Sequence, residues 1–184
     1  LTSCNKFKDT NVSPSLLTTA SAKALLTNSL QAMSSLSLGN VASTRLGSLY
    51  MQHLSEGPYP GPSLYNDRNL SFAGFYSGPL LDLQTIIDYN NTGNSAANNN
   101  GSKNNQIAVA RILKAYYYLM MTDKWGNIPY SQALKGSAGY SPVYDSQQSI
   151  YTDLFKELNE SAAQINTGES AVVGDVLFNG NMAN

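Results

Sequence analysis

The sequence is poor in the residues on which many enzymes rely. It has one cysteine, one histidine and one tryptophan among 184 residues, and 12% of its residues are charged. A single cysteine excludes a disulfide within the chain, so the fold does not depend on oxidation. The sequence has no G-x-S-x-G, phosphate-loop or HExxH motif, and no spare histidine to activate a nucleophile. These absences favour a binding protein over an enzyme.

The chain also has no large excess of positive or negative charge. The formal net charge is -1, and no basic run offers a surface for nucleic acid. The one long apolar stretch, around residues 106–121, is too short and too charged to span a bilayer. Asparagine, serine, glycine and tyrosine are plentiful instead, and such a surface suits a neutral polar ligand.

The stretch from Gln106 to Leu134 organises the chain. Its first part is apolar almost all round, which predicts a helix buried on most of its surface. The polar exceptions recur at three- and four-residue steps: Arg111, Lys114, Tyr118 and Thr122. The helix is predicted to stop at Trp125-Gly126-Asn127, where glycine supplies the conformation of a helix terminus. Pro129 then keeps Ile128 extended.

Apolar periodicity predicts further helices on both sides of this one. Their predicted starts are Ser13-Pro14, about Val41, Gly78-Pro79 and Asp145, the last with Gln148 as a capping-box variant. The second helix is predicted to reach Leu54 and to place His53 on its apolar face, as a core histidine. No stretch alternates with a period of two residues, so the predicted fold class is all-α.

Two segments without helical periodicity differ in character. Residues 90–105 form a low-complexity run of asparagine, glycine and serine, which predicts an exposed, mobile linker. Residues 56–74 are rich in proline, glycine and aromatic residues, which predicts a structured loop. Long structured loops within compact domains are usually functional.

Three stretches resemble the SusD/RagB family of outer-membrane nutrient-binding lipoproteins. The first is the buried helix with Ala110, Leu113 and Tyr117, followed by the aromatic turn Trp125-Gly126-Asn127-Ile128-Pro129-Tyr130. The second is the leader from Cys4 through Phe7, Asp9 and Asn11 to Pro14, and the third is the segment from Gly174 to Asn181. All three occur in the family's order along the chain.

This resemblance implies an all-α, tetratricopeptide-like helical stack with long structured loops. Residues 1–14 would be a lipoprotein anchor and tether, and residues 15–184 the N-terminal part of a SusD-like nutrient-binding domain. Leu1-Thr2-Ser3-Cys4 also fits the end of a lipoprotein signal, in which Cys4 is acylated. The resemblance further implies an outer-membrane, cell-surface location held by lipid alone. No cofactor and no metal-binding residues are predicted, and the sequence does not decide whether a structural metal is present. A SusC-like TonB-dependent transporter would receive the ligand.

The loop after the second helix is the predicted ligand site. Its candidate residues offer aromatic faces and hydrogen-bonding groups for a sugar: Tyr59, Tyr65, Asn66, Asp67 and Arg68. In the alternative interpretation, the two tyrosines only pin the loop to the body. Trp125 is predicted to pack within the scaffold, because the family uses an aromatic residue there structurally.

The cargo and the function class both have alternatives. Some members of the family handle peptides instead of glycans. A helical-repeat scaffold that binds only protein is a further alternative. Paired carboxylates for glycoside cleavage also stay open, because such residues converge only in space.

Overall fold

The computed structural model of the chain describes residues 19–38, 44–66, 71–139 and 141–183. Six α-helices account for most of these residues: α1 Ala22–Leu38, α2 Thr44–Tyr50, α3 Ala73–Ser77, α4 Pro79–Thr92, α5 Lys103–Trp125 and α6 Gln147–Gln164. Three single turns of 3-10 helix occupy Pro62–Leu64, Ser95–Ala97 and Gly136–Gly139. The β structure of the described part is one antiparallel ribbon of β1 Ile128–Pro129 and β2 Tyr144–Asp145. The all-α prediction is confirmed.

The long helices α1, α4, α5 and α6 form an antiparallel stack. At one end of the α4–α5 pair, the Asn90 amide donates to Gln106 Oε1 at 3.2 Å. Further along, Lys114 Nζ donates to Gln84 Oε1, so the two helices run in opposite directions. Antiparallel packing of neighbouring helices is the arrangement expected for a helical-repeat fold.

The α5–α6 pair follows the same rule. The Asn105 amide at the start of α5 donates to the Asn166 carbonyl just after α6. Gln147 at the start of α6 donates to the Thr122 carbonyl near the end of α5, at 2.8 Å. Two residues of the predicted polar stripe of α5 bond the neighbouring helices: Arg111 bonds Glu157 on α6, and Lys114 donates to Gln84 on α4.

The core lies where α1, α3, α4, α5 and α6 meet. Its largest fully buried side chains are Phe75, Leu80, Leu83, Tyr117, Met121, Ile128 and Ile150. The Tyr117 hydroxyl donates to the Ser29 carbonyl and so connects α5 with α1 across the core. Burying apolar area of this kind is the main stabilising term in folding.

The asparagine-rich run is ordered, so the prediction of an exposed, mobile linker at residues 90–105 is wrong. Asn90 lies in α4 and its amide also donates to the Ile86 carbonyl. Asn94 caps the next turn by accepting from Ala96 N–H, and the Asn100 amide donates to the carbonyls of Ala96 and Asn98. Short amide side chains stabilise such turns by bonding nearby backbone groups. Composition alone does not distinguish this use of asparagine from disorder.

Two helix boundaries differ from the predicted ones. The N-cap of α6 is Ser146, which accepts from Ser149 N–H, whereas Asp145 accepts from the backbone of the aromatic turn. Helix α2 ends at Tyr50, so His53 lies beyond it and is exposed, and its predicted core role is wrong. Pro79 opens α4 as predicted. The predicted helix start at Ser13 lies outside the described residues.

Within the described ranges, each helix is too short or too polar to cross a lipid bilayer. The predicted lipidation site, Cys4, lies outside those ranges.

Candidate ligand-binding surface

The predicted binding loop follows α2 and is held by its own hydrogen bonds. Tyr65 ends the short turn Pro62–Leu64 and adopts a left-handed backbone conformation with φ 58°. Its ring stacks on Tyr50 with centroids 5.5 Å apart. The Tyr65 hydroxyl donates to the Tyr50 carbonyl at 3.0 Å and accepts from Gln52 Nε2 at 2.9 Å. These contacts fix Tyr65 against Tyr50 at the end of α2 and so shape the loop.

Tyr59 differs from Tyr65 in its surroundings. Its side chain is 83% exposed and makes no hydrogen bond or ring contact with the described residues. Apolar side chains elsewhere in the same loop are exposed as well, among them Met51, Leu54 and Leu64. An exposed, unused aromatic ring beside other exposed apolar groups is typical of a binding surface.

The structure describes three of the five predicted site residues. Asn66 is exposed, and its backbone carbonyl accepts from the Tyr50 hydroxyl at 3.3 Å. Asp67 and Arg68 lie outside the described residues. Tyr59, Tyr65 and Asn66 thus share one loop, with Tyr59 presented to solvent and Tyr65 engaged internally.

Trp125 belongs to the scaffold, as predicted. Its ring meets Phe72 and Phe75 edge-on, with centroid distances of 5.6 and 5.9 Å. Gly126 ends α5 with φ 72°, and its N–H donates to the Thr122 carbonyl at 2.8 Å. The turn that follows is fixed by Asp145, whose carboxylate accepts from the backbone of Tyr130 and Ser131. Trp125 is half-buried and packs against the core beside this turn.

A second concave feature lies between α4, α5 and α6, away from the predicted loop. It is a polar cavity of about 310 Å³. Its wall includes Gln84, Arg111, Lys114, Tyr118, Tyr130, Ser131, Lys135, Asp153 and Glu157. Sequence analysis identified some of these residues as the polar stripe of α5 without assigning them a site. The three- and four-residue spacing of that stripe was the available signal.

One side of this cavity is closed by an ionic cluster. Arg111 bonds both carboxylate oxygens of Glu157, at 2.8 and 2.9 Å, and also Glu160 at 2.7 Å. A two-pronged arginine–carboxylate contact is stronger and more directional than a single one. The hydrogen bonds from Arg111 hold the pKa of Glu157 below its usual value.

The lowered pKa of Glu157 predicts a loss of stability in acid. A carboxylate with a depressed folded-state pKa stabilises the fold above its unfolded pKa and loses this effect as the pH falls. We expect Glu157→Gln to lower the free energy of unfolding by about 1 kcal/mol or less at pH 7, because the pair is partly solvated. The difference from the wild type should begin to shrink near pH 4.3, the usual pKa of glutamate, and should vanish only below the lower folded-state pKa of Glu157. Denaturant titrations at pH 7 and pH 3 measure it.

Glu169→Gln is the matched control for this prediction. Glu169 is exposed and makes only amide contacts, at 3.2 and 3.5 Å, so its substitution should have little effect at either pH. A Glu157→Gln difference that persists unchanged at pH 3 would contradict the proposed ionic contribution.

Comparison with known proteins identifies the family. The sequence profile of the SusD-like family, described as starch-binding and associating with the outer membrane, matches residues 14–184. The chain belongs to the SusD-like family. This confirms the resemblance drawn from the buried helix, the aromatic turn and the terminal stretches. No curated protein shows significant similarity to this SusD-like chain.

Solved structures share the fold of this SusD-like protein. A chitin-binding protein matches with 27% identity and a TM-score of 0.65, over 88% of this chain and 35% of its own length. An outer-membrane protein from Bacteroides vulgatus, described as involved in nutrient binding, matches with 25% identity and a TM-score of 0.62, over 89% and 32% of the two chains. A SusD homologue from Bacteroides fragilis is similar in fold, at 24% identity and a TM-score of 0.64, over 89% and 32%.

The SusD-like chain therefore spans about a third of the length of the structures it matches. The family description names binding and an outer-membrane association, and it names no reaction. Among the described residues, histidine, cysteine, aspartate and glutamate form no group of three or more that could hold a metal ion.

Proposed function

We propose that this SusD-like chain is part of an outer-membrane surface lipoprotein that binds a glycan nutrient. In this proposal residues 15–184 form the N-terminal part of the binding domain. Residues 1–14 serve as anchor and tether, with acylated Cys4 in the membrane. The bound glycan passes to a SusC-like TonB-dependent transporter. The observation that carries the glycan proposal is the exposed ring of Tyr59 in a loop whose shape is set by Tyr65.

Sugar recognition by this loop has a simple physical basis. The C–H faces of a sugar ring are apolar and pack against an aromatic face, and the hydroxyls need hydrogen-bonding partners. Tyr59 supplies the ring, and the Asn66 amide supplies donors and an acceptor. Asp67 and Arg68 follow directly in the sequence and complete the polar set of the proposed site. The family description and the chitin-binding relative both support a glycan as the ligand.

The proposal predicts that Tyr59→Ala weakens glycan binding without lowering stability. Because the Tyr59 side chain is 83% exposed, its removal leaves no cavity. Loss of a stacking residue at the centre of a site usually weakens binding by about tenfold or more. Calorimetry with chitin and starch oligosaccharides, using the full-length protein without its lipid, measures the change.

Phe155→Ala is the matched control, because Phe155 is 65% exposed on α6 and does not belong to the loop. It should bind the oligosaccharides as the wild type does. A Tyr59→Ala protein that binds with unchanged affinity would remove the loop from the proposed site. Binding of peptides in place of glycans would keep the family function and change the cargo. Binding of the transporter alone would indicate a scaffold or lid.

A further inference from the structure

The polar cavity between α4, α5 and α6 shares no lining residue with the Tyr59 loop. Its volume of about 310 Å³ lies at the lower end of the range for small-molecule sites. Tyr118 and Lys114 form its inner wall on α5, and Asp153 belongs to α6. Each of these three side chains has hydrogen-bonding capacity that the surrounding protein leaves unused.

Tyr118 is the most deeply placed of the three. Its side chain is packed against the rings of Tyr130 and Tyr76, at 4.6 and 6.2 Å, and the residue is only 3% exposed. Its hydroxyl makes no hydrogen bond to any residue in the described ranges. In those ranges, no fully enclosed side-chain polar atom lacks a partner, so the Tyr118 hydroxyl must open onto the cavity. A hydroxyl that faces the cavity without a protein partner is available to hydrogen-bond a ligand.

Lys114 presents a cation to the same space. Its ammonium donates to Gln84 Oε1, which leaves two N–H donors without a partner among the described residues. The Glu157 carboxylate on α6 is already bonded through both oxygens by Arg111. Burial lowers the pKa of Lys114, and the charges of Glu157 and Asp88 only partly oppose this effect. An anionic ligand group would compensate this charge.

The opposite wall offers an acceptor. Asp153 Oδ2 accepts from the Tyr130 hydroxyl at 2.7 Å, and the other carboxylate oxygen makes no hydrogen bond to a described residue. Hydroxyl groups of a ligand can donate to such an oxygen. The cavity thus has cationic and hydroxyl donors on α5 and a free acceptor on α6.

We propose that this cavity binds one small hydroxylated carboxylic acid of the hexuronate class. The ligand carboxylate accepts hydrogen bonds from the Lys114 ammonium and the Tyr118 hydroxyl, and a ligand hydroxyl donates to Asp153. A neutral sugar would satisfy Asp153 but would give the Lys114 ammonium no directly bonded anion. This site is independent of the proposed glycan site at Tyr59.

Calorimetric titration of the full-length protein with glucuronate, glucose and acetate tests the proposal. We expect glucuronate to bind at least tenfold more tightly than either glucose or acetate, because each of these lacks one half of the contacts. Lys114→Met should weaken glucuronate binding by about 10- to 100-fold, and Tyr118→Phe by about 3- to 10-fold. Lys103→Met, an exposed substitution in the first turn of α5, should leave it unchanged.

Tyr118→Phe keeps the test decisive if Lys114→Met fails to fold. The Tyr118 hydroxyl has no protein partner in the described ranges, so its removal should leave the melting temperature at the wild-type value. Unchanged glucuronate affinity in a folded Tyr118→Phe protein would overturn the proposal. Absence of glucuronate binding to the wild type would overturn it too, as would equal affinity for glucose or acetate. Because Tyr59→Ala tests the loop separately, failure of either proposed site can be distinguished from failure of the other.

Discussion

Replacing Asn105 by aspartate should lower the free energy of unfolding by about 3 kcal/mol at pH 7. Asn105 is fully buried, and its amide donates to the carbonyls of Asn166 and Ser170 at 3.0 and 3.2 Å. Its side-chain oxygen accepts from Asn166 N–H at 2.8 Å. Aspartate has the same shape but replaces the two donors with a carboxylate oxygen, which would face two carbonyl oxygens. The cost combines lost hydrogen bonds, repulsion and a desolvated charge.

The neighbouring asparagine provides a matched control. Asn104 is exposed, and its side chain makes one long contact, 3.5 Å to Glu169 Oε1. Asn104→Asp should change stability by no more than about 0.5 kcal/mol. Denaturant unfolding of both variants by circular dichroism gives the comparison. Equal stability of the two variants would show that the contacts between Asn105 and residues 166–170 contribute little.

A second large effect is expected at Gly101, where two segments of the chain approach each other. Gly101 has φ 110°, and a Cβ there would lie 2.5 Å from the Ala171 carbonyl oxygen and 2.8 Å from Val172 Cα. Both obstacles are backbone atoms, so no side-chain rearrangement relieves them. Gly101→Ala combines backbone strain with overpacking and should cost about 3 kcal/mol. The free energy of unfolding measured in urea reports the loss.

Gly57→Ala is the control for this substitution. A Cβ at Gly57 would meet no atom within 4 Å, and its backbone needs no positive φ. Its stability should stay within about 0.5 kcal/mol of the wild type, with a slight gain from the lower entropy of the unfolded chain. If Gly101→Ala is as stable as Gly57→Ala, the close approach of residues 101 and 171–172 does not persist in solution.

Helix α5 and the turn after it could be predicted from sequence because their signals are local. An apolar surface around most of a helix requires burial, and a glycine followed by an X-Pro step limits where the helix can continue. The structure places Tyr117 in the core and ends α5 at Trp125, as expected. The start of α4 at Pro79 could be predicted for the same reason, because its signal is the adjacent Gly-Pro step.

The order of the asparagine-rich run could not be predicted, because some of its partners lie far away in the sequence. Asn105 bonds residues 61 and 65 positions later, and Ser102 N–H donates to the Ser170 carbonyl. No local sequence pattern predicts such pairing. An asparagine that bonds the backbone cannot be distinguished in a sequence from one that bonds water. Tertiary contacts decided the structure of this segment.

The roles of the candidate site residues could not be predicted from sequence either. Sequence analysis grouped Tyr59 and Tyr65 as two rings of one loop, but their roles differ because Tyr65 sits at a left-handed turn position and faces Tyr50. Lys114 and Tyr118 appeared only as polar interruptions of an apolar helix. Whether such a stripe is satisfied by neighbouring helices or opens onto a cavity depends on the packing of α4 and α6.

The internal bonding of the Tyr59 loop has an evolutionary consequence. The hydrogen bonds of its pinning tyrosines, Tyr50 and Tyr65, end within residues 50–66 and do not reach the helical stack. A lineage can therefore vary the loop's exposed residues without disturbing the residues on which folding depends. Under the proposed function, ligand preference and stability are then separate targets of selection, and a change of ligand requires substitutions only in a segment of fewer than twenty residues.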